Sequence, residues 1–353
     1  MTFSGGPAPD PAVPDGLRSD VMNPDEERWR AERALLNAGR DRLGRLASGL
    51  YPAHPRVAGT RLMCREEWIP ATPVPLEDVR LEWDPEPAPP AVAAPSDGLP
   101  PGYRTYAEAM AALAPPRIFD DRPSYRLLAA APPVLRFGPG RYFDGVNVGE
   151  AAAHELAAGR GALRERVGDP ADLRRRTALC AITTLTVTTS GSYVLHWRDP
   201  VKVAHAGGLH QVMPVGVFQP LNDEREDLDL WRCMVREYAE ELLGMDEDYD
   251  DDFVQEEWPF HRTMTRARNE GRIRAHFLGL GVDPLTFALD ILTAVVMDDT
   301  TFAELFGALV TVNDEGRVST AHLDAPSPEP IQPAGAAALA LARRHRRTLG
   351  IHT

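Results

Sequence analysis

Lysine is almost absent: of the 38 basic residues, all but Lys202 are arginine. Cysteine is scarce too. Cys64, Cys180 and Cys233 are odd in number and far apart, with no CxxC spacing and no Cys/His cluster. That excludes a structural zinc site of familiar spacing and a disulfide framework. Positive charge is in the minority, with 52 acidic residues, a net charge of −14 and a pI of about 5.2. Such a surface repels phosphate backbones, so a broad nucleic-acid face is excluded and only a local basic patch, such as Arg343–Arg347, remains. No apolar run reaches the ~18 residues of a membrane-spanning helix, so no membrane partner is expected. Met1–Pro14 has no basic, apolar leader pattern. A reducing cytoplasm is therefore the expected compartment.

What is present fits a globular chain, 43% hydrophobic and 25% charged. Its 353 residues suggest about two domains at roughly 150 residues each. Residues 1–22, rich in Gly, Pro and Asp, read as disordered. Asn23 caps and Pro24 opens a helix running to about Leu50. Trp29, Leu36, Leu43 and Leu50 recur every seven residues along it, with Leu46 beside them. This stripe is a docking face, for the rest of the chain or for a second copy in a homodimer. Residues 23–83 form a helical and extended segment. Residues 84–101 hold seven prolines and read as a linker and boundary.

A folded region is expected over 102–325, and after Ala325 a Pro-rich tail, 326–353. The pattern within that region predicts a helix at Val148–Arg166, then strands at Ala181–Thr188, Tyr193–Arg198 and His210–Phe218. A strong helix at Leu228–Leu243 comes next. Beyond it lie a helix at Pro259–Glu270, strands at Ile273–Gly279 and Ile291–Met297, and a helix at Thr301–Leu309.

The Leu228–Leu243 helix carries the chemistry. At 100° per residue, Trp231, Val235, Tyr238 and Leu242 share one buried stripe. Glu237, Glu240 and Glu241 gather on another face, where like charges destabilise the helix. Such a cluster is tolerated in open solvent or where a cation neutralises it. Magnesium takes oxygen ligands and sits between carboxylates and substrate phosphates. Arg236 stands ready to pair with one carboxylate.

Arg236-Glu237-Tyr238-Ala239-Glu240-Glu241-Leu242-Leu243-Gly244 resembles the core of the Nudix box. Tyr193–Arg198 resembles the strand that precedes it in that family, and His210–Phe218, with Pro214-Val-Gly216, resembles the strand and turn entering the box. The resemblance covers about Thr177–Gly244, under half the chain. It implies an α+β fold with a Nudix-like α/β/α sandwich behind a Pro-rich N-terminal extension. It also implies a Mg2+- or Mn2+-dependent hydrolase acting on a nucleotide-derived diphosphate. Carried over by position, Glu240 and Glu241 are metal ligands, Glu237 is a ligand or general base, and Arg236 orients a glutamate. Gly216 offers its backbone carbonyl near the metal.

The pattern also departs from the family. Gly216 stands twenty residues before Arg236 (236 − 216), because the loop Gln219–Asp227 is longer than the box allows. The early box glutamate falls on Leu228, and the closing glycine comes one residue late. Some members of a similar, uncharacterised actinobacterial family carry a helix-turn-helix head, which Asp25–Leu50 does not resemble. The drifted box keeps a second reading open: a catalytically weak Nudix-like sensor of a nucleotide or small metabolite. A third is a metal-independent enzyme on the same fold.

Candidate ligand-binding residues are Arg141, in the Gly- and aromatic-rich Gly138–Gly145, together with Arg198, Lys202 and His210. The Gly138–Gly145 stretch serves either as a substrate loop or as a plain turn. His205, Gly207 and Gly208 read either as an anion contact or as a flexible loop. Asp246, Asp248, Asp250, Asp252 and Glu257 fall at EF-hand spacing, but Asp251 stands where the turn glycine belongs, so a solvated acidic loop is expected. His154 and His276 read as packed histidines, and His261 as one near enough the acidic loop to carry a proton.

Overall fold

The computed structural model describes residues 23–92, 98–116, 119–198, 208–245, 249, 253–307 and 316–352. The expected disorder of 1–22 concerns residues outside these. The chain is α+β, as its composition and patterning predict, with mixed sheets.

In chain order the strands are β1 (Val74–Pro75), β2 (Arg80–Trp83), β3 (Pro123–Ala131), β4 (Val134–Arg141), β5 (Cys180–Thr188), β6 (Ser192–Arg198), β7 (His210–Val212), β8 (Val215–Val217), β9 (Ile273–Val282), β10 (Leu289–Met297) and β11 (Gly316–His322). The main sheet runs β1-β9-β10-β5-β6-β11, with β7 added to β6 and β8 to β5. Its centre is the parallel pair β10–β5. Every residue of β10 is buried, as expected of a strand covered on both faces. A smaller sheet, β2-β4-β3, joins the main one where Tyr125 N–H donates to the Phe218 carbonyl and Leu127 N–H to that of Ala178.

The helices are α1 (Pro24–Ala38), α2 (Arg40–Gly49), α3 (Tyr106–Leu113), α4 (Tyr142–Gly145), α5 (Ala151–Ala157), α6 (Ala162–Val167), α7 (Leu230–Leu243), α8 (Pro259–Asn269), α9 (Asp299–Phe306) and α10 (Pro333–Arg344). A π-helical turn, Val146–Glu150, joins α4 to α5. The single helix expected at Val148–Arg166 is thus two pieces, parted where Gly159 turns with a positive φ of 72°.

The long helix expected from Asp25 to Leu50 is also two, α1 and α2, interrupted at Gly39. Asn23 caps α1 as predicted, its side chain accepting from Asp25 N–H at 3.0 Å. Trp29, Leu36 and Leu43 are buried, but Leu46 and Leu50 are 48% and 51% exposed. Within the chain the stripe is buried as far as Leu43. That part docks on the same chain. Arg33 and Arg40 reach the Glu150 carboxylate at the end of the π turn, Arg40 at 2.9 Å, and Arg33 also donates to the Tyr106 hydroxyl.

The segment before the Pro-rich stretch shares a core with the strands beyond it. Trp29, Val57, Leu62 and Trp68 belong to the same buried cluster as β5, β9 and β10. The stretch expected to be a tail carries α10, whose Ala334, Ala337, Ala338, Leu339 and Leu341 are buried against β5 and β10. The expected strand His210–Phe218 is two short ones, because Pro214 lacks the N–H a continuous ladder needs. The two halves then pair with different neighbours, β7 with β6 and β8 with β5. Among the described residues no helix is long and apolar enough to cross a membrane.

Candidate active site

α7 begins at Asp229, whose carboxylate caps the helix by accepting from Arg232 N–H at 2.9 Å. It ends at Gly244 in the left-handed conformation (φ 66°), the conformation glycine adopts most readily at a helix C-terminus. The expected stripe is buried: Trp231, Val235, Tyr238 and Leu242. The Tyr238 hydroxyl meets Thr186 Oγ1 at 2.6 Å, fixing the helix against the central strand β5. Burial pushes that phenol's pKa upward, so the group stays neutral.

The acidic face turns toward β8. The Glu237 side chain is 8% exposed, and its carboxyl carbon and both oxygens fill the space that a Cβ at Gly216 would need. One turn further on, Glu241 Oε2 accepts from Val215 N–H at 3.0 Å. One turn earlier, the Cys233 thiol donates to the Val217 carbonyl at 3.5 Å. α7 thus lies along β8 in antiparallel sense, with Cys233, Glu237 and Glu241 over Val217, Gly216 and Val215. Glu240 is half-buried beside them.

Arg236 is buried, and its hydrogen bonds go elsewhere than to a glutamate. One guanidinium nitrogen donates to Gln255 Oε1 and the other to the Gln219 carbonyl, both at 2.8 Å. Gln255 in turn donates to the Arg232 carbonyl at 2.7 Å. The guanidinium therefore ties α7 to the two loops flanking it.

The long loop before α7 is ordered by Asp227, which is 4% exposed. Its Oδ2 accepts from the backbone N–H groups of Leu221, Asn222 and Asp223, and its other oxygen pairs with Arg232 at 3.0 Å. Neither Asp227 nor Gln255 stands out in the sequence. The only signal was the surplus length of Gln219–Asp227, which needs an internal anchor.

The other expected site residues are dispersed. Arg141 ends β4 on the smaller sheet, where the Asp121 carboxylate holds its Nε at 2.6 Å and keeps the guanidinium firmly charged. His210 opens β7; its backbone bonds Pro330 and Gln332, and partial burial lowers its pKa. The Arg198 backbone pairs with Gly316 in β11, while its side chain and the whole of Lys202, His205 and Gly207 lie outside the described residues. So do Asp246, Asp248, Asp250 and Asp252 of the acidic loop; Glu257 is exposed. Among the described residues no group of three or more His, Cys, Asp or Glu side chains has metal-binding geometry.

His154 is packed, as its sequence context predicts. It lies between the Tyr106 hydroxyl (2.9 Å from Nδ1) and Glu32 Oε2 (3.1 Å from Nε2). Burial drops its pKa to about 4. His276 and His261 are also shifted downward by burial. His261 sits on α8 with Thr265 as its polar neighbour, 3.5 Å away.

Among the cavities on the surface, two are walled by described residues. One, about 540 Å³, is walled by Thr189, Ser190, Asp299, His322, Asp324 and His352. The other, about 470 Å³, lies between Leu81, Trp83, Pro85, Arg225 and Leu228. A scan against protein-family models matches none, and a search of the curated proteins likewise returns no match.

Proposed function

We propose that this chain is a Nudix-type hydrolase that cleaves a nucleotide-derived diphosphate with Mg2+ or Mn2+, on a Nudix-like sandwich, in a reducing cytoplasm. The observation that carries the reading is the seating of Glu237 on Gly216, with Glu241 bonded to Val215 one turn away. It sets the acidic helix against the strand of Gly216, whose backbone carbonyl the resemblance assigns a place near the metal. The three cysteines are free and buried, which suits a reducing compartment.

The donor chemistry suits magnesium. Carboxylate oxygens are its preferred protein ligands, and it is usually held by one or two of them together with substrate phosphates, so a three-residue protein cage is not required. Glu237 and Glu241 would hold the ion, with Glu240 beside them. Once bound, it would neutralise charge on the diphosphate and lower the pKa of an attacking water. The chain's own part is positional. Gly216 leaves room for the Glu237 carboxylate, the Val215 N–H fixes one oxygen of Glu241, and the Arg236–Gln255–Gln219 contacts hold α7 at its height over β8.

The test is cleavage of the diphosphate in a panel of nucleoside diphosphate derivatives with Mg2+, read as formation of the nucleoside monophosphate. Turnover that Glu241→Gln abolishes supports the reading.

A second reading, a ligand sensor with little or no turnover, is favoured by one observation: Glu237 is buried and one Glu241 oxygen is already engaged by a backbone N–H. It predicts no cleavage, and thermal stabilisation by ligand that survives Glu241→Gln. Turnover without any metal would sink both in favour of a metal-independent reaction.

A further inference from the structure

The two sides of α1 carry different patterns. Trp29, Arg33, Leu36 and, just beyond the helix, Arg40 are buried against the rest of the chain, and the Glu150 carboxylate holds both guanidinium groups. On the opposite side Glu27, Ala31, Ala34, Leu35 and Ala38 are all exposed. At 100° per residue these five fall within one band about 100° wide. Leu35, at 59%, is the most exposed large hydrophobic residue among those described, and the exposed Leu46 and Leu50 lie beyond the band on the outer side of α2.

A charge closes the band at each end. Glu27 stands at the N-terminal end. At the other end is Arg42: a Cβ on Gly39 would lie 3.0 Å from the Leu35 carbonyl oxygen and 3.5 Å from Arg42 Nη2, so the guanidinium folds back over the C-terminus of α1. Both side chains are exposed, and neither has an ion pair among the described residues. The charges nearest them in sequence are already engaged, Arg28 by Asp25, and Asp41 by Arg45 and Arg61.

The band has the same layout read from either end. Glu27 and Arg42, Ala31 and Ala38, and Ala34 and Leu35 are three pairs centred on one point, midway between residues 34 and 35. A two-fold axis through that point lays α1 of one copy antiparallel on α1 of another. Ala31 of each copy then faces Ala38 of the other, the two Leu35 side chains meet beside the axis, and Glu27 of each copy reaches Arg42 of the other. An isologous interface demands this reciprocity, since each contact occurs twice with the partners exchanged. Parallel pairing would set Glu27 on Glu27 and Arg42 on Arg42, like charge on like. The alanines let the helix axes approach to the roughly 8–10 Å of a packed pair.

We propose that this face is a homodimer interface: two copies of the chain pair through the outer side of α1 in antiparallel sense, with Leu35 at the centre and a Glu27–Arg42 ion pair at each end. The inner side of the helix prepares it for this role. Trp29 is anchored in the core and Arg33 and Arg40 are fixed on Glu150, so little freedom is lost when the outer face is covered. The pairing does not depend on the hydrolase reading of α7.

The experiment is sedimentation equilibrium of the intact protein across micromolar concentrations. A species of twice the 38.8 kDa chain mass is expected, and added salt should weaken it. Leu35→Asp is expected to leave a monomer. Glu27→Arg or Arg42→Glu alone sets like charges at both ends of the interface and is expected to weaken the dimer about tenfold or more. Glu27→Arg combined with Arg42→Glu reverses both pairs and is expected to restore it. The three positions are exposed, so far-ultraviolet circular dichroism should not change, which separates loss of pairing from loss of fold. A monomer at every concentration overturns the interface, whatever else covers the face, and so does a dimer that Leu35→Asp leaves intact. A dimer weakened by each single reversal and not recovered by the double variant overturns the antiparallel register.

Discussion

The carboxylate of Glu237 lies where a side chain at Gly216 would have to be. Gly216 has no positive φ to explain it; the glycine is demanded by the helix above it. Gly216→Ala must displace Glu237 or lift α7 from β8. The clashing atoms are the far end of a flexible side chain, so the cost falls at the low end of overpacking, about 1 kcal/mol. We expect a lowered thermal midpoint and loss of any metal-dependent turnover. Glu237→Ala should be better tolerated for stability, and the double variant should be less destabilised than the sum of the two singles. Additive losses in the cycle would show that the two residues do not share that space.

Gln255 holds a buried guanidinium in place. Gln255→Ala removes the 2.8 Å acceptor of Arg236 and the 2.7 Å donor to the Arg232 carbonyl. A buried charged group that loses a partner costs about 1–3 kcal/mol. Urea unfolding should register a loss of that size. Gln255→Glu keeps an acceptor for Arg236 and should lose less, and an equal loss in both would place the cost elsewhere.

The helix that carries the candidate site was legible because its signals agree. The cap, the buried stripe and the closing glycine all fall on α7, so Trp231, Val235, Tyr238 and Leu242 could be assigned from spacing alone. The contact between Gly216 and Glu237 was not legible: the motif resemblance gave Gly216 only a carbonyl near the metal, and no local rule links residues 21 positions apart (237 − 216). Arg236 was misjudged because proximity in sequence favours a neighbouring carboxylate, whereas burial sends its guanidinium to Gln255 and a backbone carbonyl. α10 was hidden by the prolines before it, although its alanines and leucines satisfy a helical pattern. Gly39 parts α1 from α2 because glycine is a poor helix former. The pairing of Arg33 and Arg40 with Glu150 is tertiary, and the linear sequence carries no trace of it.

His154 makes the docking of α1 sensitive to acid. Its neutral ring accepts from Tyr106 at Nδ1 and donates to Glu32 from Nε2, and burial drops its pKa to about 4 from 6.5. In the unfolded chain the ring takes up a proton near pH 6.5, whereas the folded protein resists until about pH 4. The unfolded state thus binds more protons across that window, and stability falls as pH drops through it. Measured against His154→Gln, the wild type should lose urea stability as the pH drops from 6.5 to 4, with α1 detaching early. His154→Gln should flatten that slope; a variant with the wild-type pH profile would refute the assignment.

Asp290 works in the opposite direction. It lies in the fully buried strand β10, accepts from Thr183 Oγ1 at 2.8 Å, and has its pKa pushed up to about 7 by burial. From pH 4 to 7 the folded protein keeps a proton that the unfolded chain has already released. The folded state binds more protons there, so stability falls as pH rises and levels off above pH 7. Asp290→Asn keeps an oxygen for the Thr183 hydroxyl and cannot ionise. It should therefore match the wild type near pH 4 and exceed it at pH 8, by on the order of 2 kcal/mol or more. Urea unfolding of both proteins at the two pH values measures this directly. An advantage of equal size at pH 4 and pH 8 would mean that the side chain's charge plays no part.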